Sequence, residues 1–192
     1  MAKKDIILSG VGGQGILSIA TVIGWAALDQ NLHLKQAEVH GMSQRGGDVQ
    51  SNLRISTERI WSDLIPKGEC DLILSLEPME ALRYLPWLPK GGWIVTNSTP
   101  FVNIPNYPPV EEITAELQKI GNVITLDCDE IAKQTGSPRS ANMVLLGASA
   151  AVLEILDPEK LREGITNVFS RKGEKIVEIG LQTFHRRSPA KT

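Results

Sequence analysis

The stretch Gly10-Val11-Gly12-Gly13-Gln14-Gly15 stands directly behind an apolar run, Ile6-Ile7-Leu8, and ahead of a mostly apolar segment from Ile16 to Leu28. Gly10, Gly12 and Gly15 satisfy G-x-G-x-x-G, and Gly13 adds a further glycine inside the loop. A short strand, a glycine turn and a helix form the context in which this motif carries chemistry. Positions without side chains let the backbone turn tightly and let a ligand approach the amides. The helix N-terminus adds unpaired N–H groups and partial positive charge, which suit an anion. The plain alternative is a tight β–α turn with no ligand.

Working outward, Ile6 to Ser9 reads as a central parallel strand covered on both faces. Ile16, Ile19, Ala20, Ile23 and Ala27 keep helical spacing up to a stop at Asn31. Leu32 to Val39 reads as a second buried strand, parallel to the first and part of a consecutive β–α unit. It leads through His40 into Gly41-Met42-Ser43-Gln44-Arg45-Gly46-Gly47. This second glycine loop is expected on the same carboxyl edge as the first, where open α/β sheets bind ligands. Arg45, a fixed cation between glycines, suits phosphate or carboxylate recognition; a surface ion pair is the structural alternative.

Val49 to Ser56 alternates apolar and polar residues, predicting a half-exposed strand, antiparallel or near the sheet edge. Ile60-Trp61 is its expected hairpin partner. Asp71 to Leu76 reads as a buried strand, and Glu77-Pro78 opens a helix that Pro86 stops. Trp93 to Thr96 is a further strand with Asn97 at its end, and Phe101 to Pro109 is a proline-rich loop. A helix over Glu111 to Ile120 and a strand over Val123 to Leu126 follow. Asp127-Cys128-Asp129-Glu130 opens the next helix with acids that its dipole favours, and lacks further ligands for a metal cage. Ser140 to Leu156 is the longest expected helix, with Ser140 as cap and Asn142 in its first turn. Helices from Asp157-Pro158 and from Gly173 complete a single domain over 1–192. The fold class expected is α/β: a three-layer, Rossmann-like, mostly parallel sheet with helices on both faces and an antiparallel edge hairpin.

Composition narrows the functional classes. The chain has 192 residues, 42% of them hydrophobic, and a formal net charge of −2. That balance argues against a general nucleic-acid binder, and no run reaches the ~18 apolar residues of a membrane span. Two cysteines, Cys70 and Cys128, fit no metal spacing, and a reduced cytoplasmic protein is expected. No nucleophile elbow, P-loop lysine or zinc spacing occurs. A dinucleotide site would use Glu38 as the acid roughly 20 positions beyond the glycines.

The two glycine stretches together carry a family resemblance. Gly10-Val11-Gly12-Gly13-Gln14-Gly15 followed by Glu38-Val39-His40-Gly41-Met42-Ser43-Gln44-Arg45-Gly46-Gly47 resembles the gamma-type domain of the 2-oxoacid:ferredoxin oxidoreductases. The Glu-Val-His-Gly-Met lead-in is similar to the beta subunits of the indolepyruvate branch. Leu76-Glu77-Pro78-Met79-Glu80-Ala81-Leu82-Arg83, Val95-Thr96-Asn97 and Asn142-Met143-Val144-Leu145-Leu146-Gly147-Ala148 agree, so the resemblance runs along nearly the whole chain. Asp48 departs from it, standing where a small residue is expected.

The resemblance implies oxidative decarboxylation of an aryl 2-oxoacid with coenzyme A, giving an aryl-acyl-CoA, carbon dioxide and two reduced ferredoxins. It implies thiamine diphosphate and iron–sulfur clusters in the complex. Two cysteines are too few for a four-cysteine cluster, and Gly47-Asp48-Val49 lacks the remainder of a thiamine diphosphate motif. A larger alpha subunit, in a heterodimer or heterotetramer, is therefore expected to hold both cofactors and to reduce ferredoxin. This chain alone would hold none and carry no catalytic residue. Its implied site comprises Gly10, Gly12, Gly13, Gln14, Gly15, His40, Gly41, Met42, Ser43, Gln44, Arg45, Gly46, Gly47, Asn97 and Asn142, capping the thiamine site and helping to bind coenzyme A. A stand-alone NAD(P)-binding Rossmann enzyme, a nucleotide-binding scaffold, and the gamma subunit of a pyruvate, 2-oxoglutarate or 2-ketoisovalerate oxidoreductase are the alternatives.

Overall fold

The structure is a computed structural model that describes residues 2–40 and 47–185, residue 40 by its backbone alone. Its sheet has six strands in the order β2-β3-β1-β4-β5-β6. They are β1 (Lys3–Val11), β2 (His33–His40), β3 (Asp48–Ser56), β4 (Leu72–Ser75), β5 (Trp93–Asn97) and β6 (Val123–Leu126). β1, β4, β5 and β6 are parallel, and β3 runs antiparallel to both β1 and β2.

The helices are α1 (Ile16–Asp29), α2 (Pro78–Arg83), α3 (Val110–Gln118), α4 (Cys128–Gln134), α5 (Ala141–Ser149), α6 (Pro158–Phe169) and α7 (Glu174–His185). Alternation along the strands sorts their side chains between two layers. Ile6, Leu8, Leu72, Leu74 and Val95 pack with α1, α4, α5, α6 and α7. Ile7, Ile73 and Ile94 pack instead with α2 and α3. A period of two in a strand buried on both faces leaves apolar residues at nearly every position. The three-layer expectation holds, and the edge hairpin is β2–β3.

Three expectations need correction. β2 is not a buried strand beside β1; it is the sheet edge, and β3 lies between them. It opens no β–α unit but turns into β3, with His40 opposite Val49. Val39 is accordingly 53% exposed. Ile60 and Trp61 form no strand; β2 takes the partner role because it pairs with β3 along its full length. The helix expected over Ser140 to Leu156 ends at Ser149. Ser149 bonds back to the Leu146 carbonyl, while the Val152 and Leu153 amides both turn onto its own carbonyl. Ser140 stands at the N-cap position of α5 as expected, with its hydroxyl bonded to Ser137 rather than to a helix amide.

β3's alternation has a physical origin. Leu53 and Ile55 face the α1 layer, whereas Asn52 and Arg54 on the other face are committed to bonds. Asn52 Oδ1 accepts the Ile65 amide at 3.3 Å. Arg54 forks onto buried Asp5, opposite it on β1, at 2.8 and 3.1 Å. Removing one partner of such a buried pair leaves an uncompensated charge.

α5 and α7 cross with no room to spare. A Cβ on Gly147 would stand 2.2 Å from the Phe184 carbonyl oxygen. Gly147→Ala should therefore separate the two helices and destabilise the fold by about 3 kcal/mol, the upper end for overpacking. Urea unfolding of the variant measures this; an unchanged midpoint would show that the crossing is looser.

Candidate functional site

β1 and β4 are adjacent and parallel, but the chain leaves β1 toward β2 on one side and continues from β4 toward β5 and β6 on the other. The carboxyl edge between them is thus the topological switch point of the sheet, where a ligand crevice is expected. The first glycine loop sits there.

Its conformation requires its glycines. Gly13 has φ +102° and Gly15 φ +87°, left-handed values that side chains disfavour. A Cβ on Gly10 would lie 2.9 Å from Gln14 Oε1 and 3.1 Å from Ile16 Cγ1, so the loop folds down on the strand. A Cβ on Gly15 would come within 2.6 Å of Asn142 Nδ2. At Gly13 a Cβ would meet nothing within 4 Å. The loop is packed from beneath and open above.

Gln14 closes it. Its side-chain carbonyl accepts the Val11 amide at 2.7 Å, and its Nε2 donates to the Leu76 carbonyl at 3.1 Å, across the switch point. Asn142 holds the loop's far end, donating from Nδ2 to the Gly15 carbonyl at 3.2 Å. Gly15 is the N-cap of α1 and offers no side chain to its first amides.

Asn97 continues the bracing along the edge. Its Nδ2 donates to Asp129 Oδ2 at 2.8 Å and to the Thr99 carbonyl at 3.2 Å, and lies 3.4 Å from the Leu76 carbonyl. Its Oδ1 accepts the Cys128 amide at 3.0 Å, fastening the start of α4. Gln14, Asn97 and Asn142 thus each brace the edge through their side-chain amides.

The second glycine loop reaches the first through its last residue. Gly12 donates its amide to the Gly47 carbonyl at 2.9 Å, and Asp48 pairs with Val11 in register. The strand ends bordering the second loop therefore share the carboxyl edge with the first. Gly41, Met42, Ser43, Gln44, Arg45 and Gly46, with the side chain of His40, lie outside the described residues.

Glu38 does not stand where a dinucleotide ribose would need it. β3 intervenes, placing β2 two strand spacings, roughly 10 Å, from β1. Its carboxylate accepts Gln36 Nε2 at 2.6 Å on an exposed strand. The NAD(P) reading loses its second element.

Glu77 is fully buried behind the edge. One carboxylate oxygen accepts the Glu80 amide at 2.8 Å, capping α2. The other accepts the Phe101 amide at 3.3 Å and the Tyr107 hydroxyl. Desolvation, then the bond to Glu77, pushes the Tyr107 phenol up from its ordinary value. Sequence reasoning marked Glu77 but missed Tyr107, since nothing local links residues thirty positions apart.

Cys70 and Cys128 are free and buried. Burial pushes the Cys70 thiol up to about 12 and raises the Cys128 thiol as well. Among the described residues no group of three or more His, Cys, Asp or Glu is placed to hold a metal ion, and no helix is long and apolar enough to cross a membrane.

The pyruvate ferredoxin/flavodoxin oxidoreductase family model matches residues 5–187. Indolepyruvate oxidoreductase subunit IorB of Pyrococcus horikoshii is 40% identical over 156 residues, 77% of either chain. Ketoisovalerate oxidoreductase subunit VorA of Methanothermobacter thermautotrophicus is 30% identical over 91% of this chain, which matches 34% of that longer protein. The 2-oxoglutarate:ferredoxin oxidoreductase of Magnetococcus marinus, solved with 2-oxoglutarate, coenzyme A and succinyl-CoA bound, shares the fold. Its TM-score is 0.74 at 22% identity, over 96% of this chain and 30% of that one.

Gln14→Ala should leave the Val11 amide without its acceptor and free the Leu76 carbonyl. An unsatisfied group of this kind costs about 1–3 kcal/mol. Urea unfolding should shift by that amount, with faster hydrogen exchange at Val11. Unchanged stability would mean the loop holds its shape without the latch.

Proposed function

This chain belongs to the pyruvate ferredoxin/flavodoxin oxidoreductase family and is a subunit of the 2-oxoacid:ferredoxin oxidoreductase type; we propose that it serves an indolepyruvate ferredoxin oxidoreductase. In this reading it caps the thiamine diphosphate site of a larger alpha subunit and contributes to binding coenzyme A. The complex oxidatively decarboxylates an aryl 2-oxoacid, forms the aryl-acyl-CoA and passes electrons through iron–sulfur clusters to ferredoxin. The indolepyruvate assignment rests on the likeness to IorB over most of both chains.

The observation that carries the reading is the glycine loop at the switch point. It is clamped from below by Gln14 and Asn142 and open above Gly13. Amides held in this way at the start of a fourteen-residue helix suit a phosphate of coenzyme A. The Magnetococcus marinus enzyme, which shares the fold, was solved with coenzyme A bound. Thiamine diphosphate, held by the partner, would supply the carbanion chemistry at the keto carbon. This chain's part is to position coenzyme A and to exclude water, which protects reactive species from side reactions.

Division of labour gives a first expected outcome. The purified chain should show no oxoacid oxidation and no visible cluster absorption, and activity should appear on assembly with the alpha subunit. Turnover by the chain alone would overturn the reading. Ferredoxin-linked oxidation of a panel of 2-oxoacids by the assembled complex then tests the aryl preference.

Arg45 gives the second. A guanidinium bonded to phosphate is worth about 1.5–3 kcal/mol, so Arg45→Ala in the complex should raise the coenzyme A requirement by about ten- to a hundredfold. Arg45→Lys should recover part of it, because a point charge lacks the bidentate fork. Lost assembly or a lowered Tm with a normal coenzyme A requirement would assign Arg45 a structural role instead.

A further inference from the structure

Between β5 and α3 the chain crosses the carboxyl edge as a strap, Ser98 to Pro109. It contains no charged residue, although 22% of the chain is charged. Phe101 is 44% exposed, Val102 67% and Ile104 38%, and Val110, the first residue of α3, is 37% exposed. Isolated exposed apolar residues are ordinary, but a contiguous uncharged patch of this kind marks an interaction site.

The strap is held rather than loose. Buried Glu77 receives the Phe101 amide at one end and the Tyr107 hydroxyl at the other, while also capping α2. Asn97 fixes the entry, its Nδ2 donating to the Thr99 carbonyl and its Oδ1 accepting the Thr99 amide at 3.4 Å. Thr99 adds a bond from its hydroxyl to Asp127 at 3.1 Å. Pro100, Pro105, Pro108 and Pro109 restrict the intervening backbone. Committing a buried carboxylate to a surface loop makes sense where the loop must hold a fixed shape. A pre-ordered segment loses less entropy on association.

Beside the strap a cleft of about 330 Å³ opens between α3 and the β5–β6 side of the sheet. Val110, Ile113, Leu117, Ile120 and Val123 line it together with the uncharged polar Ser98, Thr114, Gln118 and Thr125, and its lining holds no charged group. An apolar ridge thus borders an uncharged, largely apolar cleft. That shape and chemistry fit a folded protein surface with an apolar side chain projecting from it.

We propose that the strap Ser98–Pro109, held in shape by Glu77 and Tyr107, together with the adjoining cleft is the docking surface for the larger oxidoreductase subunit. This rests on the subunit reading given above. Two observations select that occupant. The strap lies on the same carboxyl edge as the glycine loop, and Asn97 contacts both the strap and Leu76, to which Gln14 is bonded. In addition, this chain matches about a third of VorA and about a third of the Magnetococcus marinus chain. The domain there shares one polypeptide with further domains, while subunit IorB is matched over 77% of its own length, so a chain of the IorB type meets the corresponding parts through an intersubunit face. Glu77 and Tyr107 act as positioning residues.

The test is co-expression of this chain with the alpha subunit from the same source, followed by measurement of subunit affinity and coenzyme A dependence. Val102→Asp places a charge on the most exposed large hydrophobic residue of the strap, where the isolated fold tolerates it. The variant should unfold at the wild-type temperature and bind the alpha subunit at least tenfold more weakly. Tyr107→Phe removes only the hydroxyl to Glu77 and should weaken binding less, with the isolated fold retained. Wild-type affinity in Val102→Asp overturns the proposal. So does a variant that loses self-association while keeping the alpha subunit. If the wild-type chain itself does not bind the alpha subunit, the subunit reading falls and the proposal with it. Arg45→Ala separates the two ideas: it should assemble normally yet need more coenzyme A, whereas Val102→Asp at saturating alpha subunit should keep the wild-type requirement.

Discussion

One side-chain amide at the end of β1 organises the carboxyl edge. β1 is hydrogen-bonded on both sides and leaves the sheet between β3 and β4, so its exit must rise out of the sheet and turn at once into α1. Gln14 makes that turn a closed structure by accepting from Val11 behind it and donating to Leu76 on the neighbouring strand. The glycines are the geometric condition for this latch. A Cβ on Gly10 would occupy the space that Gln14 Oε1 fills. Sequence motif and tertiary bond are two aspects of one constraint.

From that latch the bracing spreads by shared acceptors. The Leu76 carbonyl faces both Gln14 and Asn97; Asn97 in turn fixes the first amide of α4. Asn142 on α5 pins the other end of the loop. Hydrogen-bonded amides at a strand edge hold backbone groups that have left the ladder, which otherwise go unsatisfied. The result is an edge whose backbone is set in place before any ligand or partner arrives. Such pre-organisation is what the proposed role, positioning coenzyme A and excluding water, would require.

The other half of the edge is held by ionisable groups buried for structural ends. Glu77 is fully buried and receives three protein donors, one of them across thirty residues. Asp5 plays a comparable part at the opposite end of the sheet, where Arg54 binds it and also donates to the Ser62 and Leu64 carbonyls. In both places a desolvated carboxylate orders a surface segment that has little secondary structure. Buried charge is costly unless fully partnered, so each segment is tied to a single arrangement of its partners.

The sequence by itself determined the α/β class, the strand–glycine loop–helix unit, the start of α1 at Ile16, and the helices opened by Glu77-Pro78 and Asp157-Pro158. These are local effects: hydrophobic period, glycine turns and proline at a first helical turn act over a few residues. The paired glycine stretches also carried the family. Only the tertiary structure decided that β3 enters between β2 and β1, because strand order follows from which edges pair, and two apolar strands look alike in sequence wherever they sit. The same holds for the amides. Gln14, Asn97 and Asn142 were legible as residues of the edge, but a carboxamide has the same donors and acceptors whether it meets a ligand or a carbonyl across the sheet. Distance in three dimensions showed which backbone groups they hold, and it joined Glu77 to Tyr107, a pair that no local pattern connects.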